Sequence, residues 1–108
     1  MNKTISSALF LLLTTAPAFA ENSQSQSIEK IQIEATSTTP YYYFVNHTTG
    51  WGASGCPNAF AAYLAEDAPG AKAMLSLALA AKATGTKVQF QGTCTDSSYF
   101  QVNYIIME

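Results

Sequence analysis

Basic charge is scarce in this sequence. Five of its 108 residues are lysine or arginine, seven are acidic, and there is one histidine, for a net charge of −2. A nucleic-acid binder needs a basic face, and this composition does not supply one. Cysteine is also sparse. There are two, and they do not form a C-x-x-C pair, which argues against a redox motif. A zinc site asks for four Cys, His or carboxylate ligands, and a calcium loop for a closely spaced acidic set. Neither occurs. G-x-S-x-G, P-loop and G-x-G-x-x-G patterns are missing as well. The one histidine, His47, follows a tyrosine run and has no nucleophile and acid spaced with it. The adjacent acids Glu66 and Asp67 suit a helix start better than a pair of carboxylates across a cleft. We therefore expect no enzyme, no metal and no cofactor.

Long apolar runs are missing too. The longest, Ile5–Leu13, is too short to span a bilayer. Together with Lys3 and the small-x-small site Ala18-Phe19-Ala20 it reads as a secretory signal peptide over residues 1–20. Ala71–Ala83 is also short and carries Lys72, Ser76 and Lys82, so no membrane span is expected. The leader implies export, to a periplasm or to the extracellular space. Cys56 and Cys94 then pair most simply as a disulfide. The closed loop of 38 residues is worth roughly 4 kcal/mol in the chain-entropy model. That is a large share of the stability of a domain of this size.

Residues 21–27 (ENSQSQS) have no apolar anchor and read as a flexible polar arm. The remainder, 28–108, is one small domain. Ile31, Ile33 and Ala35 alternate with Lys30, Gln32 and Glu34, as in a half-buried strand. Tyr41-Tyr42-Tyr43-Phe44-Val45 has the strongest β-propensity in the chain. A glycine-rich loop, 48–57, holds the only tryptophan, Trp51. Asn58–Leu64 fits a short strand or a short helix, of which the strand is favoured. Asp67 and Pro69 precede an Ala/Leu-rich helix over 71–83, stopped by Gly85. Met74, Leu77, Ala78 and Ala81 form its core stripe. Val88 and Phe90, then Phe100, Val102, Tyr104 and Ile106, alternate with polar residues and predict a hairpin with one dry face. The order is three strands, a helix and two strands. It predicts a β-rich α+β fold, a five-stranded OB-like antiparallel barrel with the helix between strands 3 and 4. The alternative is an open antiparallel sheet with one packed helix.

From Ala71 to Met107 (AKAMLSLALAAKATGTKVQFQGTCTDSSYFQVNYIIM) the chain resembles small exported bacterial proteins with a Leu/Ala-rich helix, a Gly-x-Cys strand and a final aromatic strand. The same layout is similar to the OB-fold B subunits of AB5 toxins. Those subunits bind glycans and form pentameric rings; the likeness implies an OB-type fold and a binding role. It assigns no contact residue.

Two surface sets suit a ligand. One is aromatic: Tyr41, Tyr42, Tyr43 and Trp51. The other is rich in amides: Gln89, Gln91, Gln101 and Asn103. Rings pack on the apolar face of a sugar, and amides bond hydroxyls without requiring charge. The same residues also fit an ordinary core and an ordinary wet strand face. Leu75 and Leu79 widen the apolar surface of the helix and suggest an oligomer interface. The expected function is an exported, non-catalytic binding module for a glycan or a protein. The alternatives are an oligomeric structural subunit of the envelope, or a small inhibitor presenting the loop 48–57.

Overall fold

The computed structural model describes residues 20–36 and 38–108. The expected leader lies outside the described residues, apart from Ala20. Among the described residues six strands form one sheet: β1 (Glu21–Asn22), β2 (Lys30–Glu34), β3 (Tyr41–Val45), β4 (Ala61–Ala65), β5 (Val88–Cys94) and β6 (Tyr99–Met107). Among the same residues one helix, α1 (Ala71–Thr84), follows β4. The strand order is β1-β5-β6-β4-β3-β2.

This corrects the expected fold. The sheet is a six-stranded mixed sheet and not a closed five-stranded antiparallel barrel. The helix comes after the fourth strand. β4 and β6 run parallel, with Ala61 beside Tyr99 and Tyr63 beside Gln101. A parallel neighbour requires a crossover, and α1 with β5 provides it. The open antiparallel alternative fails on the same pair.

The strand that sequence reasoning missed is β1. Its residues are polar, so no hydrophobic alternation announces it. Hydrogen bonds hold it in place. Glu21 and Asn22 pair with Gly92 and Gln91 of β5. The Ser23 N–H donates to Phe90 O at 2.7 Å, and the Phe90 N–H donates to Ser23 Oγ at 2.8 Å. Further along, Gln26 and Val88 exchange backbone bonds at 2.9 Å. The segment read as a polar arm thus lies along β5. It continues into β2, which pairs with β3 from Lys30↔Val45 to Glu34↔Tyr41.

One face of the sheet is dry. Phe44, Phe90, Phe100, Trp51, Leu64 and Val88 are fully buried there. Phe90 stacks on Phe44 at 5.4 Å and meets Trp51 edge-on at 4.7 Å. The helix closes this face with Ala71, Ala78 and Ala81, small residues that let it approach closely. Met74 packs on the same core as expected, and so does Leu75, which was assigned to an oligomer interface. Leu79 points away from that core and is half exposed. Asp67 does not cap the helix. The N-cap is Gly70, in the left-handed conformation and without a side-chain cap. The C-terminal stop is as expected: Gly85 is left-handed, and the Thr86 and Gly85 N–H groups donate to Ala81 O and Lys82 O.

The hairpin differs from strict alternation. A bulge falls between Gln91 and Gly92, where the pairing changes from Gln91↔Tyr104 to Gly92↔Val102. One extra residue reverses the faces beyond it. Phe100 and Val102 point inward, but farther along it is Ile105 that packs on the core. Tyr104 and Ile106, expected on the dry face, are exposed. A Cβ at Gly92 would run into Gln101 O, which explains glycine at this point.

Candidate binding site

The other face of the sheet carries the tyrosines. The run Tyr41–Val45 alternates, so Tyr42 and Phe44 are buried while Tyr41 and Tyr43 lie on the opposite face, half-buried. Register then sets their neighbours. Tyr43 lies between Gln32 on β2 and Tyr63 on β4, and Tyr63 lies beside Gln101 on β6. Tyr99 enters the same face at the start of β6, opposite Ala61.

The four rings form a connected cluster. Tyr43 and Tyr63 stack at 6.0 Å, and Tyr41 lies 6.1 Å from Tyr63. Tyr99 meets Tyr63 edge-on at 6.0 Å and Tyr43 at 6.3 Å. These are the offset and edge geometries that aromatic rings prefer. The cluster extends through Phe60, 5.7 Å from Tyr99, to His47, which stacks on Phe60 at 4.6 Å.

The hairpin between β5 and β6 supplies the polar rim. Asp96 Oδ1 accepts the N–H groups of Ser98 and Tyr99 at 2.7 and 2.9 Å. This fixes the turn through Oδ1 alone, so Oδ2 takes no part in it. The Thr95 hydroxyl accepts from the Tyr63 hydroxyl and donates to Tyr99 O, both at 3.3 Å. Cys94, immediately before the turn, is bridged to Cys56, so the disulfide anchors one wall of the site. The Tyr43 hydroxyl donates to Glu34 Oε1 at 3.0 Å. Burial, and then the Glu34 carboxylate, push its pKa up. Tyr41, Tyr43, Tyr63, Thr95, Asp96 and Tyr99 line an open depression of about 360 Å³. Apolar ring faces, a few fixed polar groups and one carboxylate make it a place for a polar ligand with an apolar face.

The structure divides the residues assigned from sequence. Tyr41 and Tyr43 line the depression, and Gln101 is next to Tyr63 in register. Trp51 is in the core, with its indole N–H donating to Phe44 O at 3.0 Å, so no ligand on the sheet face reaches it. Tyr42 is also inside; its hydroxyl donates to Glu66 Oε2 at 3.0 Å. Gln89 and Gln91 hold the N-terminal segment, donating to Ser23 O at 2.9 Å and Asn22 Oδ1 at 3.1 Å. Asn103 is exposed at the bulge. The loop 48–57 is folded back, with Trp51, Ala53 and Cys56 buried. Glu21 ties it down by accepting from the Ser54 hydroxyl at 3.0 Å and from the Gly55 N–H.

Sequence reasoning missed Tyr63, Tyr99, Thr95, Asp96 and Phe60. A signal existed for Tyr99: it has the same parity along β6 as Gln101, which was placed on the wet face. Tyr63 becomes visible only with the register of β4 against β3. Among the described residues no helix is long and apolar enough to cross a membrane. Comparison with protein-family models, curated proteins and solved structures finds no match to this chain.

Proposed function

We propose that this chain is an exported, non-catalytic binding module that takes a glycan on its tyrosine face. The observation that carries the reading is the convergence of four half-exposed tyrosines with Asp96 and Thr95 on one open depression. Sugars present an apolar face to such rings and hydroxyls to a carboxylate. The disulfide between Cys56 and Cys94 suits the oxidising compartment that the leader implies.

The test is a screen of residues 21–108, oxidised, against an array of neutral and charged glycans, followed by calorimetry on the strongest binder. Tyr63→Ala should weaken binding at least tenfold, or about 1.4 kcal/mol, with the fold retained by circular dichroism. Wild-type affinity in that variant, or a folded protein that binds no glycan, would refute the proposal.

A second reading has its own support. Ile33, Leu79, Tyr104 and Ile106 are large apolar side chains that stay exposed. A subunit of a homo-oligomer would cover them, and a small domain gains from such burial. Light scattering after size exclusion decides this: a monomeric mass at high concentration removes the reading.

A further inference from the structure

The tyrosine depression has a neighbour. A smaller hollow of about 120 Å³ opens on the same sheet face, lined by Gln32, Tyr43, Val45, Phe60, Ala61 and Tyr99. Tyr43 and Tyr99 line both hollows, with centroids 6.3 Å apart. Two hollows therefore share one aromatic wall.

The two differ in chemistry. The larger carries the Asp96 carboxylate and the Thr95 hydroxyl. The smaller has an apolar floor of Val45 and Ala61, both buried, a side wall of Phe60, and the amide of Gln32 at its edge. Phe60 is itself held by the stacked His47 ring. No lysine lines either hollow.

We infer that the site has two subsites and takes a neutral disaccharide unit, one ring on each side of the Tyr43–Tyr99 pair. The unit in the smaller hollow carries an acetamido group. Its methyl packs against the Phe60 wall, and its amide meets Gln32. The unit in the larger hollow offers hydroxyls to Asp96 Oδ2. A carboxylated sugar is disfavoured there by repulsion from Asp96. This inference rests on the glycan reading above and specifies its ligand.

The experiment titrates residues 21–108 by calorimetry with defined probes: the methyl glycosides of galactose, glucose and N-acetylglucosamine, then lactose, chitobiose, N-acetyllactosamine and sialyl-lactose. Chitobiose or N-acetyllactosamine should bind about tenfold tighter than either of its component monosaccharides and tighter than lactose. Sialyl-lactose should bind no tighter than lactose. Phe60→Ala should pull the disaccharide-to-monosaccharide ratio toward one. Gln32→Ala, on an exposed edge strand, should do the same if Phe60→Ala does not fold. The two-subsite inference is overturned if no disaccharide exceeds its better component, if lactose equals the acetamido sugars, if sialyl-lactose binds best, or if the folded variants keep the ratio. Failure of every probe, sialyl-lactose included, together with a blank glycan array would overturn the glycan reading itself. Binding of monosaccharides without a gain from the second unit would overturn this inference alone.

Discussion

The two faces of this sheet are both aromatic, yet they are built on different terms. On the inner face Phe44, Phe90, Phe100 and Trp51 are fully buried, and the one polar atom among them, the Trp51 indole N–H, is satisfied by Phe44 O. On the outer face Tyr41, Tyr43, Tyr63 and Tyr99 keep part of their rings in solvent, and Tyr43 and Tyr63 tether their hydroxyls to Glu34 and Thr95. Two adjacent residues, Tyr42 and Tyr43, have the same side chain and fall on opposite sides of this division. Residue type alone therefore does not separate a core ring from a binding ring. Strand parity does; the hydroxyl's partner does not, since Tyr42 has Glu66 and Tyr43 has Glu34.

The comparison breaks most visibly by truncating one ring on each side. Trp51→Ala should cost about 3–5 kcal/mol, because it leaves a cavity against Phe90 and removes the indole bond to Phe44 O. Tyr99→Ala removes edge contacts at the surface and should cost about 1 kcal/mol. Urea unfolding measures both. Equal losses would mean that the outer cluster is structural core, and the case for a binding face would weaken with it.

The disulfide lies on the inner side but adjoins the site. Cys56 is buried in the core, and Cys94 packs against the same core directly before the turn that carries Thr95 and Asp96. Replacing both cysteines by serine should lower stability by about 2–4 kcal/mol. It should also blunt ligand affinity beyond what partial unfolding explains, because the Thr95–Asp96 wall loses its anchor. Stability lost with affinity intact in the folded fraction would place the bridge in the core alone.

How much of this was legible beforehand varies with the physics that sets each element. The helix was, because its Ala/Leu content and Gly85 are local signals, and Ala71–Thr84 matches the expected span. The β3 run was, because five adjacent β-formers leave little choice. β1 was not, since ENSQSQS has no apolar period and its strand exists through bonds from Gln89, Phe90 and Gln91. The parallel β4–β6 pair was not, because pairing between distant segments leaves no mark in either. The bulge at Gly92 was not, although a glycine inside a strand is where one is sought. The site followed the same rule. Tyr41 and Tyr43 were visible in one strand, while Tyr63, Tyr99 and Asp96 joined them only through long-range register. Trp51 was drawn to the surface by its place in a glycine-rich loop, and that loop proved to fold inward.

The smallest effect separates the two neighbouring tyrosines themselves. Burial raises the pKa of both, with a glutamate as the second cause: Glu66 for Tyr42 and Glu34 for Tyr43. Each neutral hydroxyl donates to a carboxylate, and ionisation would replace that bond with repulsion. The sign follows. Above a pH of about 10 the unfolded chain has begun to lose these protons while the folded one keeps them, so folding stability falls as pH rises further. Below that pH neither group contributes a slope. Absorbance at 295 nm should show two hydroxyls ionising later in the folded protein than in concentrated urea. Glu34→Gln should bring one of them earlier, and Glu66→Gln the other. A ligand settles which face each belongs to. Bound in the depression, it covers Tyr43 and not Tyr42, so it should delay only the hydroxyl that responds to Glu34→Gln. A delay in the Glu66-linked hydroxyl instead would mean that the ligand acts through the core, and the division between the two faces would not hold.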